Sequence, residues 1–246
     1  TAGENTLFVA ARDDVRSGLQ PKGKQADQYY SSGCDYTRTT GIWQTVWLEF
    51  VPETYLQYAR YYPDPQNGCV TVSGLAKGEG TLRLTALWEG KPVGEKTIAV
   101  QDGFFTTQLD LEEIHLWEAG KGGLYTLLLS LENDQVSSYF GLRTVAFQGR
   151  KFLLNGKPLF QRFVLDQGFY PDGIYTAPTE EDLIQDITLS FAAGFNGARL
   201  HEKVFEPRFL YHCDRLGYLV WGEFPNWGLD HSHPLATEIV LNQWSE

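Results

Sequence analysis

Charged side chains follow three short apolar segments in the last third of the chain. Asp166 ends the first segment, Arg199 and His201 end the second, and Glu223 ends the third. An arginine at such a point can orient a carboxylate through a charge-assisted hydrogen bond, and a buried carboxylate at the end of a strand rarely lacks a role. We therefore predict that these four residues contribute to one functional site.

The segments that carry these residues alternate with predicted helices. A capping-box pattern at Thr179 opens a helix that Gly194 ends, and Pro207 opens a second helix that Gly217 ends. Residues 152–165 form a predicted hairpin around an Asn-Gly turn, residues 196–201 and 218–223 are predicted strands, and a third helix begins after them. The order βαβαβ is typical of a parallel sheet.

Two parallel architectures compete for this pattern. A doubly wound nucleotide-binding sheet needs a glycine-rich turn after its first strand, whereas residues 166–173 form a long acidic and aromatic loop. A (β/α)8 TIM barrel instead gathers polar residues at the carboxyl ends of its strands, as this sequence does. We favour the barrel. Three strands cannot close it, so we predict that residues 149–246 are its N-terminal, incomplete part.

Residues 51–148 carry many short strands separated by Gly and Pro, with no helical period. The predicted strands are residues 55–62, 69–72, 81–88, 96–100, 104–109, 125–131 and 139–147. This spacing and length are typical of an antiparallel, immunoglobulin-like β-sandwich, although the Cys…Trp…Cys core pattern is missing.

The pattern of residues 1–50 predicts the end of another β domain. Strands are predicted at 6–11 and 42–50 on either side of a polar loop, and Trp43 and Trp47 are too apolar to be left in water. The chain has no methionine and opens on Thr1, so we expect it to be a piece of a longer protein.

Composition excludes several classes of partner. The 20 Lys and Arg residues against 31 Asp and Glu residues leave a net charge of −11, which disfavours nucleic acids and anionic membranes. No apolar run approaches the ~20 residues that span a bilayer. Three widely spaced cysteines and no Cys-x-x-Cys pair predict reduced thiols, no metal site and a cytoplasmic setting, and no cofactor motif is present.

Taken together, the motifs resemble the family 2 glycoside hydrolases, which include β-galactosidases, β-glucuronidases and β-mannosidases. The resemblance covers essentially the whole chain. Residues 40–46 (TGIWQTV) are similar to the end of the jelly-roll domain of that family, and residues 139–145 (YFGLRTV) with 152–158 (FLLNGKP) to its junction between immunoglobulin-like domain and barrel. Residues 194–199 and 213–218 continue the match in order.

The resemblance implies a retaining glycosidase acting on β-linked galactosides or glucuronides. Such enzymes hold two carboxyl groups about 5 Å apart, one as acid/base and one as nucleophile. In this family both follow later barrel strands, so we expect them beyond residue 246 and expect the fragment to be inactive. The carbohydrate substrate is the expected partner, and a homo-oligomeric parent stays open.

The resemblance also implies sugar-binding residues inside the chain. Asp35 has the spacing of a family aspartate that contacts sugar hydroxyls, which a carboxylate suits because it accepts several hydrogen bonds. Arg199 and Glu223 match family residues at strand ends. His201 lies one position closer to the arginine than is usual, so sugar binding and simple packing are both open for it.

Two further interpretations of single residues remain. Asp166 replaces a residue that is often His or Asn, and Trp227 could form an aromatic platform for a sugar, whereas Trp221 is expected in the core. A non-catalytic carbohydrate-binding or scaffold module is the alternative function, and an unrelated barrel enzyme with an appended sandwich is the third hypothesis.

Overall fold

The computed structural model describes residues 3–14 and 16–244. The chain divides into two compact units. The sandwich unit comprises Trp47–Arg162 and Tyr211–Leu219, and the parallel-sheet unit comprises Thr1–Val46, Phe163–Leu210 and Val220–Glu246. Strands predominate over helices, so the fold is mainly β.

Seven strands of the sandwich unit form two antiparallel sheets. They are β1 (Tyr55–Asp64), β2 (Cys69–Lys77), β3 (Gly80–Trp88), β4 (Lys91–Val100), β5 (Gly103–Asp110), β6 (Tyr125–Leu131) and β7 (Asp134–Phe140). One sheet has the order β1-β2-β5 and the other β4-β3-β6-β7. Every pairing within them is antiparallel, as the sequence predicts.

A single apolar core joins the two sheets. Alternate residues of β3 and β6 point into it, and Leu82, Leu84, Leu127 and Leu131 have no exposed surface. Val72 of β2 meets them from the other sheet. Because each buried leucine contributes about 1.5–3 kcal/mol, this alternation with a period of two fixes which face of each strand turns inward.

Tyr125 combines apolar burial with two hydrogen bonds in the sandwich unit. Its ring is fully buried and stacks on Phe140 with centroids 4.9 Å apart. Its hydroxyl donates to the carbonyl of Glu113 at 2.9 Å and accepts from the amide of His115 at 2.6 Å. The hydroxyl therefore ties the chain before β6 to the strand itself.

A short sheet and a hairpin complete the strands of the sandwich unit. They are β8 (Val145–Gln148), β9 (Lys151–Leu154) and β10 (Lys157–Pro158), in the order β10-β9-β8. Asn155 and Gly156 join β9 to β10 with φ of 52° and 73°, which confirms the predicted two-residue turn. The hairpin is shorter than the predicted 152–165, because the chain leaves it after Pro158 to enter another sheet.

The fourth sheet holds the strands whose ends carry the candidate site. They are β11 (Phe163–Asp166), β12 (Gly197–Leu200) and β13 (Leu219–Gly222), in the order β11-β12-β13, and β11 pairs with β12 in parallel. The helices are α1 (Glu180–Ala192), α2 (Pro207–Leu216) and α3 (Pro234–Trp244). The predicted βαβαβ order and the start of a third helix are confirmed.

Helix α1 begins and packs as the sequence indicates. The Thr179 hydroxyl accepts from the amide of Asp182 at 3.3 Å, and the Asp182 carboxylate accepts from the amide of Thr179 at 3.0 Å. These two bonds satisfy amides that a helix start otherwise leaves unpaired. Leu183 and Ile187 are the buried residues of its inner face.

The predicted strands at residues 6–11 and 42–50 are wrong. The described part of residues 1–54 contains no strand, only isolated bridges between Gln25 and Tyr36 and between Ser32 and Asp35. Apolar side chains there are exposed, Phe8 by 90% and Trp47 by 71%. A β-favouring sequence needs a neighbouring strand to pair its amides and carbonyls, and no described segment of this chain supplies one.

Two other expectations fail for similar reasons. The predicted strand 139–147 spans the end of β7 and most of β8, which are separate strands. β7 begins earlier than predicted because it forms a hairpin with β6 through a turn at Glu132, whose φ is 51°. Trp221, expected in the core, is 59% exposed on β13, which is an end strand of its sheet. Trp47, also expected to be buried, is exposed, and its indole nitrogen donates a hydrogen bond to Glu49.

No disulfide joins the described cysteines, of which Cys69 and Cys213 are buried and Cys34 is exposed. Within the described residues, every helix is too short or too polar to cross a bilayer.

We expect Tyr125→Phe to lower the free energy of unfolding of the chain by about 1–3 kcal/mol, because it leaves the amide of His115 and the carbonyl of Glu113 without their buried partner. Denaturant unfolding measures the change. Tyr62→Phe, at a half-exposed tyrosine of β1, is the control. An equal loss in both variants would contradict the proposed role of the hydroxyl.

Candidate functional site

Glu223 lies directly after β13 and collects donors from β12 and the residues that follow it. The Arg199 Nε donates to Oε1, the His201 Nδ1 lies 2.9 Å from Oε2, and the amide of Glu202 donates to Oε2 at 3.2 Å. The parallel sheet brings these ends together, since β12 and β13 are neighbours. The predicted grouping of Arg199, His201 and Glu223 is therefore observed.

The hydrogen bonds keep Glu223 ionised. Burial alone would raise the pKa of this carboxyl, but the hydrogen bonds from His201, Arg199 and the amide of Glu202 outweigh it and lower the pKa. With Nδ1 facing the carboxylate, Nε2 of the His201 ring is left for a second partner. The Glu223 carboxylate is therefore an anion held by three hydrogen bonds, one of them with the His201 imidazole.

Glu202 adopts a backbone conformation that is rare for a residue with a side chain. Its φ is 59°, in the left-handed region, and the residue is only 5% exposed. Its Oε2 accepts from the amides of Asn226 and Trp227, each at 2.9 Å. The carboxylate thus fixes the loop after β13, and these charge-assisted bonds offset a backbone strain of about 1–3 kcal/mol.

Lys203 is a buried ammonium inside a ring of aromatic side chains. It is 3% exposed, and its Nζ donates to the carbonyls of Gly168 at 2.6 Å and Tyr175 at 2.7 Å. The rings of Trp43, Phe169, Tyr175 and Phe205 surround it, with centroids 4.3–6.0 Å from Nζ. The amine therefore closes the loop after β11 at both of its ends.

Three consecutive residues thus fix three different parts of the site. His201 binds the end of β13, Glu202 binds the loop after it, and Lys203 binds the loop after β11. We call His201–Lys203 the strand-end tripeptide. It turns a short segment after β12 into the common support of the surrounding loops.

Asp166 lies at the end of β11 and is tied to its own loop. Its Oδ1 accepts from the amide of Gly168 at 2.9 Å, and its carbonyl accepts from the amide of His201 at 2.7 Å. Burial raises the pKa of this carboxyl, and the charge of Asp186 adds to the rise, against the opposing effects of the Gly168 amide and Lys203. The backbone connects Asp166 to the other site residues, while its side chain stabilises the loop.

Asp35 reaches the same cluster through two lysines of the N-terminal segment. Its Oδ2 lies 3.3 Å from the Nζ of Lys22, whose amide donates to the carbonyl of Trp227 at 2.8 Å. Lys24 places its ammonium 3.5 Å from the centroid of the Trp227 ring, and His201 meets the same ring edge-on at 5.6 Å. Asp35, Trp227 and His201 therefore belong to one connected cluster.

One atom of this cluster is unsatisfied. Oδ1 of Asp35 is buried and has no hydrogen-bond partner within the described part of the chain. A buried acceptor without a donor costs about 1–3 kcal/mol. The unmet acceptor belongs to the carboxylate whose other oxygen is paired with Lys22.

Sequence reasoning missed the lysines and Glu202. Lys22, Lys24, Glu202 and Lys203 were not singled out, yet each contacts a candidate residue or its loop. Glu202 and Lys203 had one usable signal, which is that two consecutive charged residues directly follow a strand end. Lys22 and Lys24 had none, since they lie in a polar loop far away in sequence.

His201, Glu202 and Glu223 could in principle offer three atoms to a metal ion, because these atoms lie within 4.8 Å of one another. Their oxygens already accept hydrogen bonds from His201 and from main-chain amides, and the Arg199 guanidinium donates to the same carboxylate. A cation would have to displace these donors and lie beside a positive charge. We therefore assign the cluster to hydrogen bonding.

Comparison with known proteins finds a family match within the sandwich unit and a longer similarity to curated proteins. The family model described as glycosyl hydrolases family 2 matches residues 60–143. The β-galactosidase of Thermoanaerobacterium thermosulfurigenes is 27% identical over 236 residues, which are 91% of this chain and 33% of that protein. The β-galactosidase of Oenococcus oeni is 28% identical over 79% of this chain and 21% of its own length. The chain spans about a third or less of these curated relatives.

Solved structures of similar fold include β-glucuronidases. One from Ruminococcus gnavus, in complex with C6-substituted uronic isofagomine, has a TM-score of 0.68 at 19% identity over 79% of this chain and 34% of that one. That of Faecalibacterium prausnitzii has a TM-score of 0.61 at 28% identity over 71% of this chain and 28% of that one. At the lower identity the similarity concerns the fold alone.

Lys203 makes the free energy of unfolding vary with pH in the alkaline range. Burial lowers the pKa of this amine from 10.5 to about 8, against the opposing charges of Glu206 and Asp166. Between these two values the unfolded chain binds a proton that the folded chain does not, so this group makes the free energy of unfolding rise with pH. Below about pH 8 both states are protonated and the contribution is constant.

We therefore expect the free energy of unfolding of the natural chain, measured relative to Lys203→Met, to increase from pH 8 to about 10.5. Urea unfolding at several pH values tests this. Lys77→Met, at an exposed lysine, is the matched control and should give a difference that is flat with pH. A flat difference for Lys203→Met as well would contradict the burial of a charged amine at this position.

Proposed function

We propose that the chain is part of a family 2 glycosyl hydrolase, whose family model matches residues 60–143, and that it forms the sugar-holding part of a retaining glycosidase that cleaves β-linked galactosides or glucuronides. The unsatisfied Oδ1 of Asp35 carries this proposal. A sugar presents several hydroxyl groups as donors, and one of them would supply the missing hydrogen bond. A carboxylate that is already held by Lys22 is well placed to accept it.

Each remaining candidate has a role that its contacts support. Glu223 accepts from Arg199 at one oxygen and keeps a second lone pair there for a sugar hydroxyl. His201 offers Nε2 to another hydroxyl. Trp227 is 39% exposed beside them, and we propose that its accessible surface contacts the sugar ring. Asp166 supports the site through the loop it anchors.

The carboxylates of the cluster are proposed to bind and not to catalyse. A retaining glycosidase needs one carboxyl that can donate a proton and one that is free to attack the anomeric carbon. Glu223 has a lowered pKa and three donors, and Glu202 is buried against two amides. Neither is free for either task. We therefore propose that this chain by itself does not hydrolyse glycosides.

The detailed architecture follows the same proposal. We infer that the sandwich of residues 51–148 is immunoglobulin-like, that residues 1–50 are the end of a jelly-roll domain and that residues 149–246 are the first strands of a (β/α)8 barrel. The parallel pairing of β11 and β12, with polar residues at their carboxyl ends, supports the barrel. The two antiparallel sheets around one core support the sandwich.

We expect Asp35→Asn to weaken binding of methyl β-D-galactoside or methyl β-D-glucuronide at least tenfold, because it removes the charge from the acceptor that a sugar hydroxyl would meet. Titration of the chain followed by tryptophan fluorescence measures the affinity. Asp102→Asn, at an exposed aspartate of the sandwich unit, is the control and should bind as the natural chain does.

Equal affinity in both variants would contradict the site. Nitrophenyl β-galactoside and β-glucuronide assays address the chemistry, and we expect no hydrolysis by the chain itself. Sugar binding without hydrolysis by any longer protein that contains the chain would favour the alternative, a non-catalytic carbohydrate-binding module.

A further inference from the structure

The outer face of the sheet β1-β2-β5 in the sandwich unit carries exposed aromatic rings. Tyr58, Tyr62 and Phe104 are exposed by 43%, 55% and 66%. Tyr61 and Phe105, their neighbours in the chain, pack against or into the core, so the alternation of the strands leaves the three rings outside. We propose that this outer face binds an extended, neutral polysaccharide. This binding does not depend on the function proposed above for the strand-end residues.

The strand register arranges the rings in rows across the sheet. The residues that pair across the three strands form two rows, Tyr58-Leu75-Phe104 and Tyr62-Thr71-Gln108. We call the outer face from the first row to the second the ring face. From ordinary strand spacings, Tyr58 lies about 10 Å from Phe104 and about 13 Å from Tyr62 at the backbone. Different sugar units of one extended chain can therefore contact different rings.

Polar groups lie between and beside the rings. Arg60 and Thr106 belong to the row between the two ring rows, and both are exposed. The Arg60 guanidinium lies 5.3 Å from the centroid of the Tyr58 ring. Gln108 is exposed at the edge of the ring face. A sugar has an apolar ring face and a rim of hydroxyl groups, so stacking rings beside hydrogen-bonding side chains match its chemistry.

The area of the sheet favours an extended chain over a second protein. β1, β2 and β5 are 8 to 10 residues long. Their outer face therefore measures about 15 Å by about 30 Å, or roughly 450 Å². A stable protein–protein interface buries about 800 Å² on each partner. The face is thus too small to hold a second copy of the chain, whereas a single sugar chain needs only a narrow strip of surface.

The charge of the chain favours a neutral polymer. Arg60 is the one ionic side chain in the three rows. The chain as a whole has a net charge of −11, which repels a polyanion, and a single arginine does not offset that charge. A neutral polysaccharide meets no such repulsion, and the guanidinium can donate hydrogen bonds to its hydroxyl groups.

The second sheet of the sandwich lacks this arrangement. In the fully described strands β3, β4, β6 and β7, Leu128 is the one large apolar side chain with high exposure, at 40%. Exposed rings are therefore a property of one face of the sandwich and not of the sandwich in general. Leu128 also offers a control position on the opposite sheet.

Native affinity electrophoresis of the chain tests the ring face. The gels contain galactan, xylan or mixed-linkage β-glucan as neutral β-linked polymers, or polygalacturonate as the anionic polymer. Methyl β-D-galactoside is added in excess to occupy the site proposed at Asp35. We expect at least one neutral polymer to retard the chain and polygalacturonate to leave its mobility unchanged.

Phe104→Ala and Tyr62→Ala should each weaken the affinity for that polymer about three- to tenfold, because each removes one stacking ring. Both rings are exposed, so the free energy of unfolding should stay unchanged, which denaturant unfolding checks. Leu128→Ala is the matched control and should bind as the natural chain does. Should one ring variant fail to fold, the other still tests the face.

Three results would overturn the ring face as a polysaccharide site. One is mobility that no neutral polymer changes, and another is equal retardation of the natural chain and both ring variants. The third is a dimer in sedimentation that Phe104→Ala dissociates, which would assign the face to a second copy.

A separate comparison distinguishes this face from the site proposed at Asp35. Retardation that is lost in Asp35→Asn and kept in Phe104→Ala would place the polymer at that site and overturn the ring face. Retardation that is lost in Phe104→Ala and kept in Asp35→Asn supports the ring face, whether or not methyl glycosides bind at Asp35.

Discussion

The left-handed backbone at Glu202 is the constraint on which the site depends. An extended residue there would continue β12 past its neighbours, whereas a φ of 59° turns the chain so that three successive side chains leave in different directions. His201 then reaches Glu223, Glu202 reaches the amides of Asn226 and Trp227, and Lys203 reaches the loop after β11. The strain at one residue is offset by hydrogen bonds to charged groups in all three directions.

A close approach of main chain to main chain extends this arrangement to the N-terminal segment. Gly23 lies against the carbonyl of Glu202, where any Cβ would collide with that oxygen. This contact sets the depth at which Lys22 and Lys24 enter the cluster. Lys22 then holds one oxygen of Asp35 and leaves the other buried without a donor. A buried acceptor without a donor therefore remains next to an ion pair.

The surroundings of Glu223 and Lys203 act on their charges in different ways. Glu223 is surrounded by donors that favour its ionised form and lower its pKa. Lys203 keeps its amine among aromatic rings and carbonyls, where burial lowers its pKa to about 8. The first arrangement favours a carboxylate anion at the strand end, and the second holds the loop after β11 in place. Both depend on the short distance between the ends of neighbouring parallel strands.

Much of the fold could be predicted because its signals are local. The alternation in β3 and β6, the Thr179 capping box and the Asn155-Gly156 turn each depend on residues a few positions apart. The grouping of Arg199, His201 and Glu223 followed from a general rule about strand ends. Trp47 and Trp221 were misjudged, because exposure depends on what packs against a side chain, and their own sequence neighbourhoods do not contain that information.

The sequence by itself determined the run of antiparallel strands of the sandwich, the alternation of strands and helices that follows it and the set of polar residues at the strand ends. These depend on backbone propensity and on apolar periodicity, which act over short stretches of chain. Only the tertiary structure decided that Lys203 is buried, that Lys22 holds Asp35 and that residues 6–11 and 42–50 form no strands. Those outcomes depend on which distant segment supplies the partner for a charge, an amide or a carbonyl, and a partner exists only once the chain has folded.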